Sequence, residues 1–115
     1  MKTWAIVVAA GAGERLGAGE PKAFRSVGGR RLFAWSVEEL RAHPHIDRVV
    51  LVVPAGLEFE AGAESDALVV AGGSSRAASV AAGLAVTPDD VDVVLIHDAA
   101  RPLLSRAVID RCIKA

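Results

Sequence analysis

Trp4-Ala5-Ile6-Val7-Val8-Ala9-Ala10-Gly11-Ala12-Gly13-Glu14-Arg15-Leu16-Gly17-Ala18-Gly19-Glu20-Pro21-Lys22 is an apolar run that stops abruptly at a glycine-rich loop. The run reads as a short buried strand over 3–9, and the loop follows over 11–22. Glycines after a buried strand let backbone N–H groups approach an anion without Cβ atoms in the way. The loop carries one arginine and one lysine. Arg15 and Lys22 would supply the positive charge that a triphosphate requires.

Outward from this loop the pattern repeats. Leu32 to Leu40 reads as a helix, with Leu32, Trp35, Val37 and Leu40 mostly on one side and Pro44 beyond its end. Arg48-Val49-Val50-Leu51-Val52-Val53 is a second strand, β-branched and stopped by Pro54. Residues 55–66 form an acidic connection, partly helical. A third strand spans 67–71 and is closed by Gly72-Gly73. A helix follows from Ser74 to Leu84, capped by Ser74 or Ser75. The fourth strand is 92–97, and a last helix starts near Ser105. Strands that are apolar throughout and alternate with helices predict an α/β fold: three layers, a mostly parallel sheet, helices on both faces. Such sheets bind ligands at the carboxyl ends of their strands. The loop 11–22, Gly72-Gly73 and Asp98 all fall there.

Composition narrows the class. The chain has 115 residues, 52% of them hydrophobic, enough for one small domain with its own core. Net charge is −1, which argues against bulk nucleic-acid binding. Yet Arg15, Lys22, Arg25, Arg30 and Arg31 face only Glu14 and Glu20 over residues 14–31, a balance suited to a small anionic ligand. Cys112 is the only cysteine, so no internal disulfide can form, and a cytoplasmic setting is expected. The apolar runs are too short to span a bilayer, and the N-terminus lacks a signal-peptide pattern. The helix opening at Ser105 has no closing signal, so the chain is expected to be incomplete at its C-terminus.

Each motif has a competing reading. The dinucleotide fingerprint needs its third glycine three residues after the second, whereas Gly17 lies four after Gly13, and no acid ends the second strand. The P-loop pattern fails too, because Lys22 follows proline and no Ser or Thr comes next. A plain strand–helix turn would explain the glycines but leave Arg15 and Lys22 without a role. Gly72-Gly73-Ser74-Ser75-Arg76 opens a helix whose free N–H groups could hold an anion or a base edge; a serine-capped tight turn explains it equally. Asp98, after a strand of Val, Leu and Ile, is well placed to hold Mg²⁺ on a phosphate chain, or else to pair with Arg101 or form a turn. His97 is assigned no chemistry. His43 and His45, flanking Pro44, read as solvated. Trp4 and Trp35 read as packing residues, and Cys112 as an inert buried thiol.

Together three segments resemble one family. Ala9 to Gly17 with Pro21-Lys22 resembles the signature loop of nucleotidyltransferases that make nucleotide-diphospho compounds. Gly72-Gly73-x-x-Arg76-x-x-Ser79-Val80 and His97-Asp98-Ala99-Ala100-Arg101-Pro102 are similar to the 2-C-methyl-D-erythritol 4-phosphate cytidylyltransferases of the non-mevalonate isoprenoid pathway. The resemblance runs through nearly the whole chain and implies a Rossmann-like fold of the nucleotide-diphospho-sugar transferase type. It implies CTP and 2-C-methyl-D-erythritol 4-phosphate as substrates, and Mg²⁺ or another divalent metal. Arg15 and Lys22 would embrace the triphosphate and stabilise charge at the α-phosphate. Ala9, Ala10, Gly11, Ala12, Gly13, Gly73 and Ser79 would line the nucleotide site, with Arg76 ordering that wall. Asp98 would ligate the metal, and Arg101 would serve the substrate side or support the structure. A homodimer that binds neither nucleic acid nor membrane is implied as well.

Members of that family are about twice this long. The resemblance therefore makes residues 1–115 the nucleotide-binding part of a single catalytic domain, with little or no turnover expected from this length alone. Ala23 stands where relatives commonly carry a polar residue. Two other functions stay open: a nucleotidyltransferase for another alcohol phosphate or sugar phosphate, such as ribitol 5-phosphate, and a non-catalytic nucleotide-binding domain.

Overall fold

The computed structural model describes residues 1–10, 22–99 and 113. Its elements are β1 (Thr3–Val8), a 3-10 turn (Lys22–Phe24), β2 (Ser26–Val27), β3 (Arg30–Arg31), α1 (Leu32–Ala42), β4 (Arg48–Val53), α2 (Glu58–Ala63), β5 (Leu68–Ala71), α3 (Arg76–Ala85) and β6 (Val93–Asp98). Four strands form one sheet in the order β5-β4-β1-β6, and every pairing in it is parallel. β1 and β4 are central, which explains why both are almost wholly buried while β5 and β6 are half-buried. Burial on both faces is why those two strands read as unbroken apolar runs.

Strand alternation divides the core in two. Ala5, Val7, Ala9, Val49, Leu51 and Val53 pack with Phe33, Val37 and Leu40 of α1 and Ala61 of α2. Ile6, Val8, Ala10, Val50 and Val52 pack with Val80 and Ala82 of α3. Helices thus cover both faces, as expected. Fully buried Phe33, Ile6 and Leu51 each contribute about 1.5–3 kcal/mol. Gly83 lets α3 sit directly on β1: a Cβ there would lie 2.7 Å from Ile6 Cγ2.

The buried stripe of α1 is Phe33, Ala34, Ser36, Val37 and Leu40. The expected stripe holds for Val37 and Leu40, but Leu32 and Trp35 are only half-buried. Trp35 turns aside because it braces a hairpin that the sequence reading lacks. Its Nε1 donates to Val27 O at 2.6 Å, and the Arg30 guanidinium lies 4.9 Å from its ring centre. Gly28 and Gly29, with φ of +62° and +83°, make the two-residue turn between β2 and β3. The packing role expected of Trp4 holds: it lies against the α3-side core with Arg48 over its ring.

His43 corrects the expectation of a solvated loop residue. It is buried, at 3% exposure. Being next to Pro44, it cannot continue the helix and turns extended, φ −75° and ψ 128°. That folds the chain back, and His43 Nδ1 accepts from His45 N at 3.1 Å. His45 is exposed. The last helix and Cys112 lie outside the described residues, apart from Ile113, which is helical.

Candidate functional site

The strands deliver the chain to one rim, the carboxyl ends of the sheet. Beyond β1, Ala9 N donates to Val52 O at 2.7 Å, and beyond β5, Gly72 N donates to Val53 O at 2.7 Å. Beyond β6, Ala99 N donates to Val8 O at 2.9 Å. The ladder therefore continues past each strand end and holds these residues as firmly as the sheet. Ala9 and Ala10 are buried.

Gly72 closes against Ala10. A Cβ on Gly72 would lie 2.6 Å from Ser79 Oγ and 2.9 Å from both Ala10 Cβ and Val52 Cγ1. Only glycine fits there. Gly73 is exposed, yet a Cβ on it would lie 2.4 Å from Ala78 Cβ. Ser75, not Ser74, caps α3, its hydroxyl accepting from Ala78 N at 3.1 Å. Ser79 is fully buried and its hydroxyl donates to Gly73 O at 3.4 Å. Arg76 begins α3 and is exposed. The result is a cradle of small residues in front of a helix N-terminus, where partial positive charge gathers.

Asp98 is the last residue of β6, in register with Val8 of β1. It lies inside the strand rather than after it. Alternation puts it on the α3 face with Val8 and Ala10, and puts His97 on the α1 face. His97 is half-buried, and its Nε2 shares a 3.2 Å hydrogen bond with Ser36 Oγ. Burial holds the imidazole below the ordinary histidine value, with the charge of Asp98 pulling weakly the other way. Ser36 and this bond escaped the sequence reading. The available signal was a serine between Phe33 and Val37 on a face that is otherwise apolar.

Lys22 opens the 3-10 turn. Gly11, Ala12, Gly13, Arg15 and Arg101 lie outside the described residues. Among the described residues no group of three or more His, Cys, Asp or Glu side chains is gathered for a metal. Among the described residues Asp98 is the carboxylate that β6 brings to this rim, and it suits Mg²⁺, which keeps several waters and takes substrate phosphates as further ligands. That donor fits a metal that arrives with a triphosphate. Two grooves lie elsewhere, one between α1 and α2 and one at the opposite end of the sheet, and both include Arg41 and Asp66. Their charges already pair, Arg30 with Glu38 and Arg41 with Asp66.

Comparison with known proteins agrees with this geometry. Residues 3–115 match the family model "IspD: 2-C-methyl-D-erythritol 4-phosphate cytidylyltransferase". A "Bifunctional enzyme IspD/IspF" of Rhizorhabdus wittichii is 50% identical over 115 residues, covering 96% of this chain and 30% of its own length. A 2-C-methyl-D-erythritol 4-phosphate cytidylyltransferase of Frankia casuarinae is 47% identical over 109 residues, covering 92% of this chain and 41% of its own length. The chain thus spans less than half the length of these relatives. The crystal structure of 4-diphosphocytidyl-2C-methyl-D-erythritol synthase from Anaerococcus prevotii superposes with a TM-score of 0.80 at 26% identity, over 98% of this chain and 49% of that one. With matching sequence from residue 3 to 115 and a matching parallel sheet, the chain belongs to the 2-C-methyl-D-erythritol 4-phosphate cytidylyltransferase family.

Proposed function

We propose that this chain is the nucleotide-binding part of an enzyme that transfers CMP from CTP to 2-C-methyl-D-erythritol 4-phosphate. The observation that carries the reading is the small-residue cradle of Ala10, Gly72 and Ser79 on the same rim and face as Asp98, in a chain of this family. A phosphate oxygen of the acceptor attacks the α-phosphorus of CTP. The bond from that phosphorus to its bridging oxygen breaks, and pyrophosphate leaves with the oxygen. Such transfer depends on positioning and positive charge, not on a protein nucleophile.

Arg15 and Lys22 hold the triphosphate and offset the charge that builds on the α-phosphate. Ala9, Ala10, Gly11, Ala12, Gly13, Gly73 and Ser79 bound the cytosine and ribose, with backbone groups reading the base edge and Arg76 ordering the wall. Asp98 would hold Mg²⁺, which when bound supplies further neutralisation of the phosphates. Arg101 serves the substrate side or supports the structure. We place the enzyme in the cytoplasm as a homodimer working on small molecules, with neither nucleic acid nor membrane as a partner. The formal charge of −1 supports the lack of a nucleic-acid partner, and among the described residues no helix is long and apolar enough to cross a membrane.

Calorimetric titration with CTP, UTP, ATP and GTP, each with Mg²⁺, tests the reading once circular dichroism shows the chain folded. Selective CTP binding is expected. Preference for another nucleotide would move the assignment to a different nucleotidyltransferase.

A further inference from the structure

Helix α1 touches both places where the rim carries chemistry. At its first turn Leu32 N donates to Arg25 O at 3.0 Å, and Phe33 packs on Phe24 with ring centres 4.8 Å apart. Its start is therefore fastened to the turn that Lys22 opens. One turn further on, Ser36 meets His97 at 3.2 Å, and His97 is the residue before Asp98.

The serine is out of character with its surroundings. Phe33, Ala34, Val37 and Leu40 make the rest of that buried face apolar. Alanine would pack there and favour the helix more, so packing alone gives no reason for a hydroxyl. Its partner sits on a strand that, among the described residues, pairs only with β1. The Ser36–His97 bond is thus a side-chain tie between the end of β6 and a helix, on the face opposite Asp98.

We propose that Ser36 is a positioning residue: through His97 it holds the end of β6, and with it Asp98, in register with the turn that carries Lys22. One rigid helix would then align the carboxylate for the metal with the lysine for the triphosphate. The roles of Asp98 and Lys22 rest on the cytidylyltransferase reading. The tie itself rests on the hydrogen bond and the packing.

Two readouts on the 115-residue chain separate the two. The first needs no ligand. The Ala99 amide, bonded to Val8 O, reports on the end of β6. Ser36→Ala should speed its hydrogen exchange about fivefold, the worth of one neutral hydrogen bond, while amides of β4 such as Val52 keep their rates. Ser36→Thr, which retains the hydroxyl, should restore protection. An unchanged Ala99 rate, or equal acceleration throughout the sheet, overturns the tie. The second readout is CTP affinity with and without Mg²⁺. Ser36→Ala should reduce the gain that Mg²⁺ confers by about fivefold and leave metal-free affinity unchanged. Equal loss in both conditions would make Ser36 merely structural and overturn the proposal. If the parent chain bound no CTP, the functional reading would fall, and the exchange pattern would still decide the tie.

Discussion

The two rims of the four-stranded sheet are finished in opposite ways. At the amino ends of the strands, carboxylates close the structure. Asp47 accepts from Thr3 N at 2.8 Å and Asp92 from Lys2 N at 2.7 Å, while Asp47 N and Asp92 N donate back to Thr3 O and Lys2 O. Asp90 pairs with Lys2 Nζ at 2.6 Å. Each acid there has a neighbour in its own chain, so that rim offers a ligand little. At the carboxyl ends the ladder is continued by backbone alone, through Ala9, Gly72 and Ala99. The side chains are small, and two glycines stand where no Cβ fits. Acidic residues at one rim serve folding; at the other, the described residues bring backbone, small side chains and Asp98 to the face where we propose the nucleotide binds.

Substitutions at the two rims should therefore separate activity from stability. The largest expected effect is Lys22→Met. In a pyrophosphate-release assay of a protein spanning the relatives' full length, the rate should fall about 10²-fold or more. A modest loss of affinity with no rate to lose would point to a binding-only domain instead. Next is Gly72→Val, which drives side-chain atoms against Ser79, Ala10 and Val52. It should destabilise by about 1–3 kcal/mol in urea unfolding and weaken CTP binding about tenfold or more. Retained affinity would show that the cradle is not the nucleotide site.

At the opposite rim, Asp47→Ala leaves the buried Thr3 amide without its side-chain acceptor. It should cost about 1–3 kcal/mol of stability with CTP affinity unchanged, and a matching loss of affinity would break the comparison. The smallest effect belongs to Asp90→Asn. The hydrogen bond and charge of Lys2 hold the Asp90 carboxyl below its ordinary value of 3.8. Its contribution is thus present above pH 3.8 and lost as pH falls through the lowered value. Both partners are exposed, so Tm at pH 7 should not change resolvably.

How much of this was legible depended on whether the signal was local. β4 is found at 48–53 as read, because a β-branched run bounded by Pro54 can form little else. β6 is displaced by one residue, to 93–98, because Asp92 is recruited to pair with Lys2 and the ladder starts after it. The hairpin of β2 and β3 escaped notice, since two-residue strands are too short for alternation to show. The tight turn at Gly72 and Gly73 was readable because close backbone approach selects glycine whatever the distant context. His43 and the Ser36–His97 bond were not. The burial of His43 follows from how Pro44 redirects the chain, and the bond joins residues 61 apart in sequence.

The comparison of rims is tested most directly by mapping amide NMR shifts while CTP and Mg²⁺ are added. The account predicts changes at Ala9, Ala10, Gly72, Gly73 and Ala99, with Thr3, Asp47 and Asp92 still. Changes concentrated at Thr3, Asp47 and Asp92 would contradict it, because the nucleotide would then sit on the rim that the chain closes for itself.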